Sequence, residues 1–144
     1  MSYKSKSQVS PPTIVNPKPQ LIHKDEKGKA NVWTAKVITL YPEMFPGTLG
    51  HSLLGQALRK KIWSLEIVNI RDFAGDKHKT VDDTPFGGGS GMVLRADVLA
   101  KALDQNIEDD GYTICLSPKG KKFDYNCSKK FLKKNLHIIC GHFE

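Results

Sequence analysis

The chain has 144 residues, enough for one domain of ordinary size, and its apolar content of 39% is low for a globular chain. A formal net charge of +7 suggests an anionic partner such as nucleic acid, and bears on association rather than on fold. The sequence offers no membrane span and no export signal, and its three cysteines form no CxxC pair, so a reducing cytoplasm is expected, without disulfide framework or zinc site.

Residues 1–30 hold four prolines and six lysines against Asp25 and Glu26. So few large apolar residues do not offset the entropy of ordering, and a disordered, basic, Pro-rich arm is expected. Order is expected from Trp33. Trp33–Leu40 is a short apolar run that reads as a buried strand. Pro42 and Pro46 end it. Leu49, Leu53, Leu54, Ala57, Leu58 and Ile62 then recur at helical steps and predict a helix with one apolar face. Leu65–Ile70 reads as the second strand.

A long polar segment, 71–92, follows. It carries Asp82 and Asp83, then four glycines in five positions (Gly87, Gly88, Gly89 and Gly91). Clustered glycines mean left-handed torsions or close approach of another group. The spacing matches neither a phosphate-binding P-loop nor a dinucleotide fingerprint. Carboxylates beside the glycines disfavour a simple anion nest and suit a donor such as the N1–H and amine of guanine. His78 and Asp82 are four apart and would pair only in a helical turn; in an extended loop they would not.

Asp97 to Asn106 predicts a second helix, Asp109–Gly111 a turn, and Tyr112–Leu116 a third strand. Residues 119–134 carry seven lysines against Asp124 alone, with partial helical character. Leu136–Cys140 reads as a fourth strand. Cys115 and Cys140 sit in apolar runs and are expected to be buried as small hydrophobes, while His51 and His137 are expected to be structural. The alternation of strands and helices predicts an α/β fold with a parallel sheet. Ligands then bind outside the carboxyl ends of the strands, where 71–92, 117–120 and 141–144 are expected to converge.

Several of these pieces carry a specific resemblance. They are Leu40–Phe45, Arg71–Phe73, Asp76–Asp83, Pro85–Met92, Leu116–Pro118 with Gly120, and Cys140–Gly141 with Glu144. Together they resemble the bacterial tRNA (guanine-N1)-methyltransferases of the SPOUT superfamily, from about Trp33 to Glu144. The resemblance implies a knotted parallel sheet and methylation of the guanosine 3′ of the anticodon by S-adenosylmethionine. It assigns Leu116, Ser117, Pro118, Gly141 and Glu144 to the cofactor, and His78, Asp82, Gly87, Gly88, Gly89 and Gly91 to the tRNA and guanine side. It also implies a homodimer whose subunits share the site. His142 stands where the family usually has Arg, Ser90 where it often has Pro, and Phe86 where it often has Tyr.

The family's catalytic base, the rest of its knot and its C-terminal tRNA-binding domain lie beyond the matched region. The sequence is therefore expected to be an N-terminal fragment, truncated before the knot is completed and inactive on its own or one half of a split gene, with a partner chain as one way to supply the rest. A basic RNA-binding fragment without catalysis, resting on the lysine clusters, is the alternative. A translated remnant that does not fold stably is a third reading, because an incomplete sheet exposes an edge.

Overall fold

A computed structural model describes residues 32–107, 111–132 and 134–143. The expectations for residues 1–30, for Asp109 and Asp110, and for Glu144 lie outside the described residues.

Four strands form a parallel sheet: β1 (Trp33–Thr39), β2 (Trp63–Asn69), β5 (Gly111–Cys115) and β6 (Asn135–Cys140). Each starts within two residues of its expected place, because each is a short apolar run with β-branched residues. Their spatial order is β2-β1-β6-β5. The register pairs Ile38 with Val68 on one side and with Ile139 on the other, and Cys115 pairs with Ile139. The parallel α/β architecture is therefore observed, and all four carboxyl ends lie along one edge of the sheet.

Among the described residues, three α-helices connect the strands: α1 (Ser52–Arg59), α2 (Ala96–Asn106) and α3 (Tyr125–Phe131). The crossovers through α1 and α3 run the same way across the sheet, and the one through α2 runs back. Right-handed crossovers therefore place α1 and α3 on one face and α2 on the other. Strand alternation agrees. Tyr112 packs on Phe131 of α3, with ring centroids 5.5 Å apart. Ile38, facing the opposite way, joins Leu40, Ile70, Val81, Val98 and Ala102 in the core on the α2 side. Ile38, Ile70, Val81 and Val98 are fully buried, each contributing roughly 1.5–3 kcal/mol relative to exposure.

Three expectations are corrected. The first helix is only Ser52–Arg59, preceded by 3-10 turns at Pro42–Met44 and Gly47–Gly50. The Pro- and Gly-rich entry shortens it: Gly47 and Ser52 both take positive φ, of 53° and 51°, which no helix continues. Its apolar stripe is not covered either, since Leu53, Leu54 and Ile62 are exposed. Second, 71–92, read as one long polar segment, holds regular structure. A turn at Ile70–Phe73 opens it, and β3 (Asp82–Asp83) pairs antiparallel with β4 (Val93–Leu94), closing the glycines into a hairpin loop. Third, Cys115 is exposed and Cys140 half-buried. β5 is an edge strand, so the end of its apolar run is flanked on one side only.

Candidate functional site

The sheet brings two predicted groups together at its carboxyl edge. β5 ends into Leu116–Ser117–Pro118, and the adjacent β6 ends into Gly141. They are neighbours because the strands are paired, and the Leu116 N–H donates to the Ile139 carbonyl at 3.4 Å. The turn beyond closes on itself. Gly120 N–H donates to the Ser117 carbonyl at 3.0 Å, and Lys119 N–H to the Ser117 hydroxyl at 3.2 Å. Leu116, Ser117, Pro118 and Gly141 are all exposed. The atom nearest to where Gly141 would carry a Cβ is the Phe143 carbonyl, 3.6 Å away. Exposed turn backbone at two adjoining strand ends suits a flat, uncharged heterocycle that hydrogen-bonds to main-chain groups.

The β6 turn is tied back to β1. The His142 ring meets Tyr41 edge-on at 5.3 Å and Phe143 at 5.3 Å. Phe143 also packs against the core cluster that holds Val81. The turn after β6 and the loop carrying Asp82 are thus anchored on the same apolar cluster. The sequence offered no sign of this aromatic tie, because Tyr41 and His142 are about a hundred positions apart.

Val81 fixes the second group. It is fully buried, and its carbonyl accepts from the Arg95 N–H at 2.8 Å. The hairpin then projects outward. Gly87, Gly88, Gly89 and Gly91 have φ of 96°, 84°, 120° and 102°, and none has an atom within 4 Å of its Cβ direction. Within the chain, these glycines serve backbone torsion rather than close packing. An open depression of about 510 Å³ beside the hairpin is lined by Asp83, Thr84, Phe86, Leu94, Arg95 and Asp97.

The acidic side chains here differ in how they are engaged. Asp72 pairs with Lys79 at 2.9 Å. Asp76 accepts from the Thr80 hydroxyl at 2.8 Å and from the His78 N–H at 3.2 Å. The Thr80 bond is the first cause holding its carboxyl below the ordinary value, with burial opposing. Asp83 accepts from the Thr84 N–H at 2.7 Å. Asp97 chelates the Arg95 guanidinium at 3.1 and 2.7 Å, which lowers its pKa and raises that of Arg95. Among the described residues, the Asp82 carboxylate alone of these has no partner in the chain. His78 sits in an exposed turn and Asp82 in β3. They do not share a helical face, so the extended-loop alternative holds. Among the described residues, no cluster of three or more His, Cys, Asp or Glu could hold a metal, and no helix is long and apolar enough to cross a membrane.

The sequence model of the tRNA (Guanine-1)-methyltransferase TrmD family matches residues 33–144. The chain belongs to this family. Curated relatives named tRNA (guanine-N(1)-)-methyltransferase match it closely. One from Pelagibacter ubique is 56% identical over 114 residues, covering 78% of this chain and 50% of the relative. One from Bartonella tribocorum is 56% identical over 111 residues, covering 76% and 47%. One from Zymomonas mobilis is 53% identical over 115 residues, covering 78% and 46%. The chain thus spans about half the length of the curated relatives it matches. The matched residues begin at Trp33, where β1 begins.

Proposed function

We propose that this chain provides the cofactor-side turns and the guanine-side hairpin of a tRNA guanine-N1 methyltransferase. The observation that carries this reading is the carboxyl edge of the sheet. There Leu116–Pro118 and Gly141 lie side by side, and the turn after Gly141 shares its apolar anchor with the hairpin of Asp82.

S-adenosylmethionine, when bound, supplies a methyl group made electrophilic by its sulfonium. Backbone groups of Leu116, Ser117, Pro118 and Gly141 hold the adenosine, with Glu144 assigned to the same side by family likeness. His142, Tyr41 and Phe143 hold the Gly141 turn in place. Asp82 accepts from the N1–H and amine edge of guanine. Its neighbours are committed to local bonds, so it is the carboxylate ready for an outside donor. His78 lies on the tRNA side, and the positive-φ glycines 87, 88, 89 and 91 shape the wall. The finer architecture proposed is the SPOUT type, with residues 31–144 within one methyltransferase domain, working in the cytoplasm as a homodimer on tRNA.

A chimera tests this reading. Residues 33–144 replace the matching half of the Pelagibacter ubique relative, and methyl transfer to a tRNA transcript bearing guanosine 3′ of the anticodon is measured. Methylation is expected, and Asp82→Ala in the chimera lowers kcat/KM by roughly ten- to a hundredfold, the worth of a hydrogen bond to a charged acceptor. A folded chimera that is inert, or one indifferent to Asp82→Ala, contradicts the assignment.

A further inference from the structure

The surface around α3 combines charge and aromatic rings in a way that the methyl-transfer site does not use. Residues 119–134 hold seven lysines against one acid, Asp124. Asp124 is engaged as the N-cap of α3. Its carboxylate accepts from the Cys127 N–H at 2.8 Å, and that backbone bond is the first cause of its lowered pKa. Lys119, Lys121 and Lys122 are exposed and, among the described residues, form no ion pair.

Aromatic rings lie between these charges. Phe123 is 67% and Tyr125 71% exposed. The Phe123 ring lies nearly parallel to Phe131, 6.1 Å and 17° apart, and Phe131 rests in turn on Tyr112. Phe123 is therefore backed on one face by a ring anchored to the sheet. Lys129 Nζ stands 4.4 Å from the Tyr125 centroid, and Lys130 Nζ 5.4 Å from that of Tyr112. These contacts hold two ammonium groups beside the rings.

We propose that residues 119–132 form an RNA-contacting face, with Lys121, Lys122, Lys129 and Lys130 meeting phosphates and Phe123 or Tyr125 stacking an unpaired base. Basic side chains alternating with exposed aromatics are what a single strand or loop of RNA requires: charge tracks the backbone and rings take bases of any identity. A face destined for burial against protein would be apolar, because lysines buried without partners are strongly destabilising. The contact goes beyond the methyl-transfer reading. It rests on that reading only for the choice of RNA as the nucleic acid.

The test is fluorescence anisotropy of the full chain with a labelled single-stranded RNA of roughly 12 nucleotides, within the span one small domain tracks. Affinity is measured from about 50 to 200 mM salt. Charge reversal in K121E/K122E/K129E/K130E is expected to weaken binding at least about tenfold and to flatten the salt slope by about 3, near 0.7 per single-strand phosphate. Phe123→Leu with Tyr125→Leu is expected to lose about tenfold while leaving the salt slope unchanged, as loss of stacking does. Replacing Lys4, Lys6 and Lys18 of the arm by Gln is expected to leave most of the affinity.

An unchanged salt slope in the quadruple variant overturns RNA contact at this face. So does equal affinity for poly-glutamate or for phosphatidylserine vesicles, which would assign the face to an acidic protein or a membrane. Thermal melts of each variant establish that folding is retained. S-adenosylmethionine titration of the quadruple variant reads the methyl-donor site separately. If that response persists while the RNA salt slope is unchanged, only the RNA face is wrong. If the RNA effect appears with no methyl-donor response, only the methyl-transfer reading is wrong.

Discussion

Glycines in this chain do two separable jobs, and substitutions tell them apart. At Gly111 a Cβ would collide with the imidazole of the buried His137 on the adjacent strand. Gly111→Ala is expected to destabilise by roughly 1–3 kcal/mol through overpacking, and Gly111→Ala with His137→Ala to show a favourable coupling in urea melts. At Gly88 there is space but φ is 84°. Gly88→Ala is expected to cost about 1 kcal/mol through the torsion alone, with no coupling to any neighbour. Asp76 carries a pH prediction. Its folded pKa is lowered, first by the Thr80 hydroxyl bond and helped by the Thr80 and His78 N–H groups. Its contribution to stability is therefore present above the ordinary carboxylate pKa, near 4, and is lost as pH falls through the lowered value. Asp76→Asn should flatten the acid limb of a stability–pH curve as pH falls below about 4. An unchanged limb would mean that Thr80 does not hold this carboxylate.

At the scale of elements, the strands were legible because each is a short apolar run carrying β-branched residues, and such runs are local in sequence. The apolar spacing around α1 continues across Ser52, where a positive φ of 51° rather than pattern decides the helix start. The exposure of Cys115 was hidden, since which strand lies at an edge depends on β6 inserting between β1 and β5. The cap of α3 is local in sequence, since Asp124 immediately precedes the helix and accepts from the Cys127 N–H. Asp124→Ala is expected to destabilise α3 by roughly 0.5–2 kcal/mol, visible as faster amide exchange across Tyr125–Phe131. Val81 ties the hairpin to the core, and Val81→Ala is expected to cost on the order of 2 kcal/mol. Hydrogen exchange should then rise in the hairpin of Asp82 before it rises in β1 or β6.

For the whole molecule, the order of motifs identified the family, but the physics of the site came only with the sheet. Glycine composition alone names no ligand, because a positive φ has no chemistry of its own. It is the adjacency of β5 and β6 that sets Leu116–Pro118 beside Gly141, and the shared apolar cluster that connects this edge to the hairpin. The proposed site is therefore divided: turns on the sheet edge for the methyl donor, a hairpin carrying Asp82 for the base, and a lysine–aromatic face around α3 for RNA. The most direct measurement is an amide NMR titration of the chain with S-adenosylmethionine. Shifts are predicted at Leu116, Ser117 and Gly141 and at the neighbouring His142 and Phe143, with the amides of α1 and β2 unmoved. No response at saturating ligand, or shifts centred away from the carboxyl ends of β5 and β6, would contradict the assignment.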